Sequence, residues 1–323
     1  MNNFLQNVLK GLQSSPKYLD SKYFYDKKGD ELFQKIMTSD EYYLTDCEME
    51  IFSTQTAEIA DSVSNGYKQL DVIEFGAGDA TKSLHLLKEL LKRKAIATYF
   101  PIDISDHIID FLNKTLPPIL PGLNIHGLNG EYFSMLSKAN EISNNRKLVL
   151  FLGANIGNFK SNEMPQFCHR LCNELSEGDF VIIGFDLKKH PRKIRDAYDD
   201  AHGFTRQFNL NLLTRINSEL NGNFNIKLFD HYESYDPDNG ACKSYLVSLK
   251  KQDVCIGDNN LFNFEKNETI LMEISQKYSI EVIERTALES GFTPVACFFD
   301  SNNYFTDVIW RVNRAVASAE IIE

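Results

Sequence analysis

The chain predicts an α/β fold: a doubly wound parallel sheet joined to a second, smaller α+β module. Three observations predict it. Residues 71–81 read D-V-I-E-F-G-A-G-D-A-T, an apolar run with one acid that enters a glycine pair, and Leu84, Leu87, Leu90 and Leu91 follow at helical spacing. From residue 70 to about 185, apolar runs of strand length alternate with amphipathic stretches, the pattern of a parallel sheet covered on both faces. From about 223 to 275 the period changes to two, as in a half-buried antiparallel sheet.

Taken in order, residues 1–63 read as helical. Phe4, Val8 and Leu12 recur at four-residue spacing, and Leu32, Phe33, Ile36 and Met37 form a second stripe. Between them lie Tyr18, Tyr23, Phe24 and Tyr25, and Tyr42 and Tyr43 follow. A helical cap over a cofactor site would exclude water; plain core packing is the alternative, and is the expectation for Phe24 and Tyr43. Candidate strands are 70–75, 98–102, 123–126, 148–152 and 180–185, with helices after Thr81, Ser105, Gly130 and Ser161. Ligands in such sheets bind outside the carboxyl strand ends, here Gly76, Asp103, Glu131, residues 153–158 and Asp186.

Beyond Asp186 one helix carries Ile194, Ala197 and Tyr198, and another runs past Gly203 through Phe208, Leu212 and Ile216. Asp199 and Asp200 resemble a paired-acid site, but neighbours on a helix point about 100° apart, so solvation is expected. Phe224, Ile226 and Leu228 form one arm of a hairpin and Tyr245, Val247 and Leu249 the other, joined across 236–240. A helix over 280–289, a stop at Gly291 and strands at 295–299 and 307–312 close the chain. The boundaries expected are 1–63 for an N-terminal helical part of the substrate domain, 64–190 for the cofactor domain, 191–285 for an insertion with helices and hairpin, and 286–323 for the closing helix and strands.

Composition narrows the function. Apolar residues make up 43% and charged ones 24%, ordinary for a soluble globular chain long enough to bury a sizeable core. With 45 acids against 34 bases the net charge is −11, which argues against a polyanionic partner and for a small molecule. Lys92 to Lys94 and the basic run 188–193 read as solvated faces. No segment reaches the ~20 apolar residues of a membrane span, and the first residues lack the basic and apolar regions of a secretory signal, so the expectation is cytoplasmic, with no membrane or nucleic-acid partner. The six cysteines read as reduced thiols, and neither they nor the seven histidines show metal-ligand spacing. Oligomeric state is open, with a monomer plausible.

The glycine turn carries the chemistry. Gly76 and Gly78 let the backbone adopt positive φ and let a nucleoside approach. The dinucleotide fingerprint needs a third glycine where Thr81 stands, so a pyrophosphate fits poorly. Asp103 ends the next strand, Y-F-P-I-D, where a carboxylate reaches ribose hydroxyls. Together these suit S-adenosylmethionine better than NAD, although an ordinary β–α–β turn with a solvated Asp would look similar. Gly130-Glu131-Tyr132 offers an acid and an aromatic to adenine. Asn158, in the turn after the fourth strand, can both donate and accept toward a methyl acceptor, or simply satisfy local backbone. Glu273 and Ser275, two apart on a strand, share a side opposite Met272 and Ile274, as a recognition wall or a solvent-facing edge would.

K-Y-F-Y-D-K-K-G-D-E-L-F, E-Y-Y-L-T, E-F-G-A-G-D-A-T-K, P-I-D-I-S, F-L-G-A-N-I-G-N-F, R-D-A-Y-D-D-A-H-G and M-E-I-S-Q-K-Y occur in this order. Together they resemble the ergothioneine-pathway L-histidine Nα-methyltransferase family, from about residue 15 to the end. The resemblance implies a Rossmann-like class I methyltransferase domain with S-adenosylmethionine as cofactor, and a substrate domain made of the N-terminal helices and the hairpin insertion. It implies successive methylation of the histidine α-amino group to the trimethylated betaine hercynine.

By the same resemblance Tyr25 and Asn158, with the Gly153 carbonyl, orient the amine and Phe33 lines its pocket. Tyr42, Asn158 and Tyr198 hold the carboxylate, and Glu273 and Ser275 the imidazole. Gly76, Lys82, Asp103, Gly130 and Glu131 hold the cofactor, with Tyr132 beside them. Two departures are visible: Ser244 stands where the family's histidine enzymes typically carry Met beside the imidazole, and Glu131 where they carry Asp. Methylation of another amino acid or a histidine-like amine, and a non-catalytic S-adenosylmethionine-binding protein, are the alternatives.

Overall fold

The computed structural model describes residues 3–64, 69–160 and 162–313. The chain runs α1 (Asn3–Gln13), β1 (Lys17–Tyr18), α2 (Lys27–Met37), α3 (Tyr43–Thr54) and α4 (Thr56–Ser64). Then come β2 (Leu70–Phe75), α5 (Ser83–Lys92), β3 (Ile96–Asp103), α6 (Asp106–Ile119), β4 (Asn124–Ile125), β5 (Leu128–Asn129) and α7 (Tyr132–Ile142). β6 (Arg146–Phe151), α8 (Met164–Glu174), β7 (Phe180–Asp186), α9 (Pro191–Tyr198) and α10 (Phe204–Glu219) follow. The last elements are β8 (Phe229–Asp236), β9 (Ala241–Ser248), β10 (Gln252–Ile256), β11 (Asn260–Phe264), β12 (Thr269–Gln276), α11 (Ile280–Glu289), β13 (Phe292–Phe299) and β14 (Phe305–Val312).

Two compact units result: Met1–Tyr43 with Lys189–Gln276, and Leu44–Lys188 with Lys277–Glu323. These limits differ from the expected 63/64, 190/191 and 285/286. From Leu44 onward the N-terminal helices belong to the sheet unit, because Ile51, Phe52, Ile59 and Val63 are buried there and α4 packs on α5 and β13. The helix α11 also belongs to it, packed on α8 and β13. Where the chain re-enters that unit, Lys277 and Asp186 form a fully buried ion pair at 2.7 Å. The expected helix start at Ser161 and the final stretch 314–323 lie outside the described residues.

In the sheet unit the strand order is β13-β14-β7-β6-β2-β3-β4, with β5 also paired to β3. The strands from β7 to β4 are parallel, whereas β13 and β14 add an antiparallel edge to the parallel sheet expected. Every position of β2 and β7 is buried. Covering both faces this way removes alternation and explains the continuous apolar runs in the sequence. β2 sits between β3 and β6, so the order reverses there and the carboxyl ends diverge, the place where such sheets bind ligands.

The other unit holds a sheet ordered β1-β12-β9-β8 and a separate antiparallel hairpin of β10 and β11. Phe24, Leu32, Phe208, Leu213, Phe229, Leu246 and Ile270 form its core with helices α2 and α10. The expected hairpin exists, but its first arm is β8; residues 226–228 form a 3-10 turn, because their apolar spacing reflects packing around that turn. Asp200 is buried, not solvated: its two oxygens accept from Phe204 N–H at 2.8 Å and Thr205 N–H at 2.7 Å, satisfying the orphan donors of α10. The cysteines are free thiols; burial pushes Cys168 up to about 12, which leaves it unreactive. Among the described residues no helix is long and apolar enough to cross a membrane.

Two stability predictions follow from these buried acids. Asp200→Ala is expected to lower unfolding free energy by about 1–2 kcal/mol in urea titrations through loss of the cap. Glu74, inside β2, accepts from Tyr99 Oη at 2.5 Å. Burial lifts its pKa to about 7 from 4.5, against the hydrogen bonds of Tyr99 and Ser83 and the charge of Lys82. Since the folded value lies above the unfolded one, the protonated acid's contribution is full below the unfolded pKa and is lost as pH rises through the folded one. Glu74→Gln removes that loss. Its stability relative to the parent is expected to climb by about 3 kcal/mol across this interval and then level off; parallel stability curves for the two proteins would contradict the assignment.

Candidate functional site

In the sheet unit the turn after β2 opens on Gly76 (φ +67°) and Gly78 (φ +52°), conformations open to glycine and costly to other residues. Gly76 N–H donates to Ile102 O at 2.8 Å, tying the turn to β3. A Cβ at Gly76 would approach Tyr132 Oη to 3.1 Å, whereas one at Gly78 would meet nothing within 4 Å, so the second glycine borders open space. Asp103 ends β3: its carboxylate accepts from Ser105 N–H at 2.9 Å and, weakly, from Gly78 N–H at 3.4 Å. Burial raises its pKa against these donors. Gly130 N–H donates to Asp103 O at 2.9 Å, and the exposed Glu131 caps α7.

The structure thus gathers Gly76, Asp103, Gly130 and Tyr132 around one crevice. Tyr132 uses a ring face on Phe75, stacked at 4.8 Å, and turns its hydroxyl toward Gly76. The stacking expected of it toward a ligand is therefore partly spent inside the core.

The turn after β6 is strained. Gly153 (φ +74°) is followed by Ala154 (φ +55°), and a non-glycine residue there costs about 1 kcal/mol. Asn158 ends the short 3-10 turn Asn155–Asn158 and is exposed, as is Gly153. Tyr278 Oη donates to Ile156 O at 3.1 Å beneath it.

Two residues here escaped the sequence reading. Asn155 donates to Leu152 O at 2.8 Å, and its Nδ2 lies 3.6 Å from the Cβ position of Gly76 and 3.5 Å from that of Gly153. Glu48, with no exposed surface, accepts from Gly153 N–H at 2.8 and 2.9 Å and forms an ion pair with Lys82. Burial disfavours the Lys82 ammonium, but the Glu48 charge and hydrogen bond outweigh it and hold the pKa above the usual lysine value. The available signal was an acid on the apolar helical stripe Leu44, Ile51 and Phe52.

The other unit assembles the remaining candidates by strand register. Glu273 on β12 stands directly opposite Ser244 on β9, which stands opposite Glu233 on β8; the next row is Ser275, Cys242 and Tyr235. A bulge between Leu271 and Glu273 makes this possible, because Ile270 pairs with Leu246 and Glu273 with Ser244. Without the extra residue, alternation would turn Glu273 to the face opposite Ile270. β1 flanks β12 only at Ile270 and Leu271, so beyond them β9 is its sole strand neighbour; there Glu273 is half-buried and Ser275 buried, and Met272, 1% exposed, joins the hydrophobic core.

Helix α9 packs on this sheet. Tyr198 Oη and Ser275 Oγ share a hydrogen bond at 2.7 Å, and Arg195 Nε donates to the buried Glu233 Oε1 at 3.0 Å. An aromatic chain continues from it: Tyr198 to Tyr42 at 6.2 Å, Tyr42 to Phe33 at 6.4 Å and Phe33 to Tyr25 at 5.6 Å between ring centroids. Tyr25 ends this row 40% exposed. Phe24 and Tyr43 are core residues, as expected. One unit thus collects Tyr25, Phe33, Tyr42, Tyr198, Ser244, Glu273 and Ser275, while Gly153, Asn158 and the glycine turns belong to the other.

The family described as histidine-specific methyltransferase, SAM-dependent, matches residues 4–312. The histidine N-alpha-methyltransferase of Mycolicibacterium smegmatis is 30% identical over 287 residues, covering 88% of each chain. Ergothioneine biosynthesis protein 1 of Neurospora crassa is 29% identical over 90% of this chain and 33% of its own length. The 4-dimethylallyltryptophan N-methyltransferase of Claviceps purpurea is 26% identical over 88% of both. A match running almost from end to end, over a sheet with a glycine crevice at its reversal, places the chain in the family of histidine-specific, S-adenosylmethionine-dependent methyltransferases.

Proposed function

We propose that this enzyme methylates the α-amino group of L-histidine and repeats the step to the trimethylated betaine, hercynine. The observation that carries the substrate is the polar wall in which the half-buried Glu273 faces Ser244 while Tyr198 is bonded to Ser275. Glu273 can accept an imidazole N–H and favours a cationic ring over an apolar side chain, which offers its carboxylate neither a donor nor a charge. Tyr198 and Tyr42 serve the substrate carboxylate with Asn158, Phe33 lines the amine pocket, and Tyr25 and Asn158 orient the amine with the Gly153 carbonyl.

The crevice suits S-adenosylmethionine. It has two positive-φ glycines, one bordering open space, an acid at the end of the second strand and no third glycine for a diphosphate. Gly76, Asp103, Gly130 and Glu131 would hold the nucleoside and Lys82 the carboxylate end. When bound, the cofactor supplies an electrophilic methyl group on sulfonium. The protein's part is alignment: hydroxyl and amide groups hold the neutral amine with its lone pair directed, and orientation of this kind supplies up to ~7–11 kcal/mol in well-ordered systems. No strong base is needed, because water can take the amine proton.

A second reading keeps the chemistry and changes the amine. Ser244, directly opposite Glu273, is smaller than the Met that the family's histidine enzymes typically carry beside the imidazole, which favours a larger side chain in the substrate. Mass spectrometry of the purified protein with S-adenosylmethionine and a panel of free amino acids separates the two. Mono-, di- and then trimethylhistidine should accumulate, with histidine the best substrate; a better substrate elsewhere in the panel would establish the second reading. Glu273→Ala is expected to lower kcat/KM for histidine by about 10- to 100-fold, the equivalent of losing one buried charged hydrogen bond, with cofactor affinity by calorimetry unchanged.

A further inference from the structure

Glu48 lies outside every motif that carried the family resemblance, yet it meets two of the groups on which the proposed chemistry depends. It reaches the turn after β6 from a helix 105 residues earlier in sequence, and both carboxylate oxygens lie within hydrogen-bond distance of Gly153 N–H. The N–H it engages opens a turn with two successive positive-φ residues, a conformation that needs support from outside. Space for the carboxylate is reserved: a Cβ on Gly184 would come within 2.3 Å of Glu48 Oε1, although this glycine has no positive φ to justify it.

Across the β14–β7 ladder from Gly184 stands Asp307, with no exposed surface and neither carboxyl oxygen hydrogen-bonded. The cluster therefore holds one ammonium, Lys82, and two carboxyls, with Glu74 nearby. Burial and then the adjacent Glu48 carboxylate hold Asp307 well above the usual carboxylate range, against the pull of Lys82.

We propose that Glu48 is a positioning residue for methyl transfer, clamping the 153–158 turn through Gly153 and sharing its carboxylate with Lys82. This rests on the roles assigned above to Gly153, Asn158 and Lys82. Glu48 touches neither methyl donor nor acceptor in this scheme; it acts by fixing the groups that do. A fold-only role would lower the melting temperature and leave turnover per folded molecule untouched.

The test uses Glu48→Gln and Glu48→Ala in the full chain, with Asn158→Ala and Lys82→Met beside them. Glutamine keeps an acceptor oxygen for Gly153 but loses the charge; alanine loses both. At a temperature well below each melting midpoint, kcat is expected to fall about 10-fold for Gln and about 100-fold for Ala, the scale of a small misplacement of reacting groups, with KM for histidine changing less than kcat. Hydrogen exchange of the ligand-free protein gives a readout independent of turnover: residues 153–158 should exchange faster in Glu48→Ala while the central strands stay protected. If Ala fails to fold, Gln carries the turnover measurement and Glu48→Asp, one methylene too short to reach Gly153, carries the exchange measurement.

Unchanged exchange at 153–158, or unchanged kcat in a variant with a lowered melting temperature, overturns the proposal. If Asn158→Ala and Lys82→Met also leave kcat, KM and cofactor affinity unmoved, the roles given to those residues are wrong. Sensitivity at those two positions with an insensitive Glu48 overturns the clamp alone.

Discussion

The carboxylate of Glu48 is the interaction on which the carboxyl end of the central sheet depends. At the point where β2 and β6 diverge, backbone groups leave their ladders, and the N–H of Gly153 needs a new acceptor. Glu48 supplies it, and Lys82 balances the charge. Removing one member of such a buried pair typically costs ~3–5 kcal/mol, since the other is left uncompensated. Gly184 gives the room, and burial beside Glu48 raises the Asp307 pKa.

The two units solve the same burial problem in different ways. The central sheet is covered on both faces, so its strands are largely apolar, and the candidate ligand groups lie at strand ends. The smaller sheet buries one face on helices α2 and α10, and polar residues enter that face only where strand register and a bulge direct them. The result is a row of Glu233, Ser244 and Glu273 across three strands. The buried Glu233 is answered by Arg195.

Much of this was legible before any coordinates. The glycine turn, the acid ending the second strand and the alternation of apolar and amphipathic runs led to the sheet and its binding end, because local geometry demands those residue types there. The second module was legible as a change of period, though its first hairpin arm was misplaced: Phe224, Ile226 and Leu228 mimic alternation while packing around a 3-10 turn. Asp200 looked solvated because adjacent acids usually are, and capping depends on where the next helix begins.

The sequence by itself therefore determined the fold class, the glycine turn at the reversal of the sheet and the acid that ends the second strand, since each follows from a local pattern of a few neighbouring side chains. Tertiary structure alone decided the unit boundaries, the turn of Glu273 onto the same face as Ser244 and the meeting of Glu48 with Gly153. Those depend on strand register, on one inserted residue in β12 and on a contact across 105 positions, and none of these leaves a periodic trace in the chain.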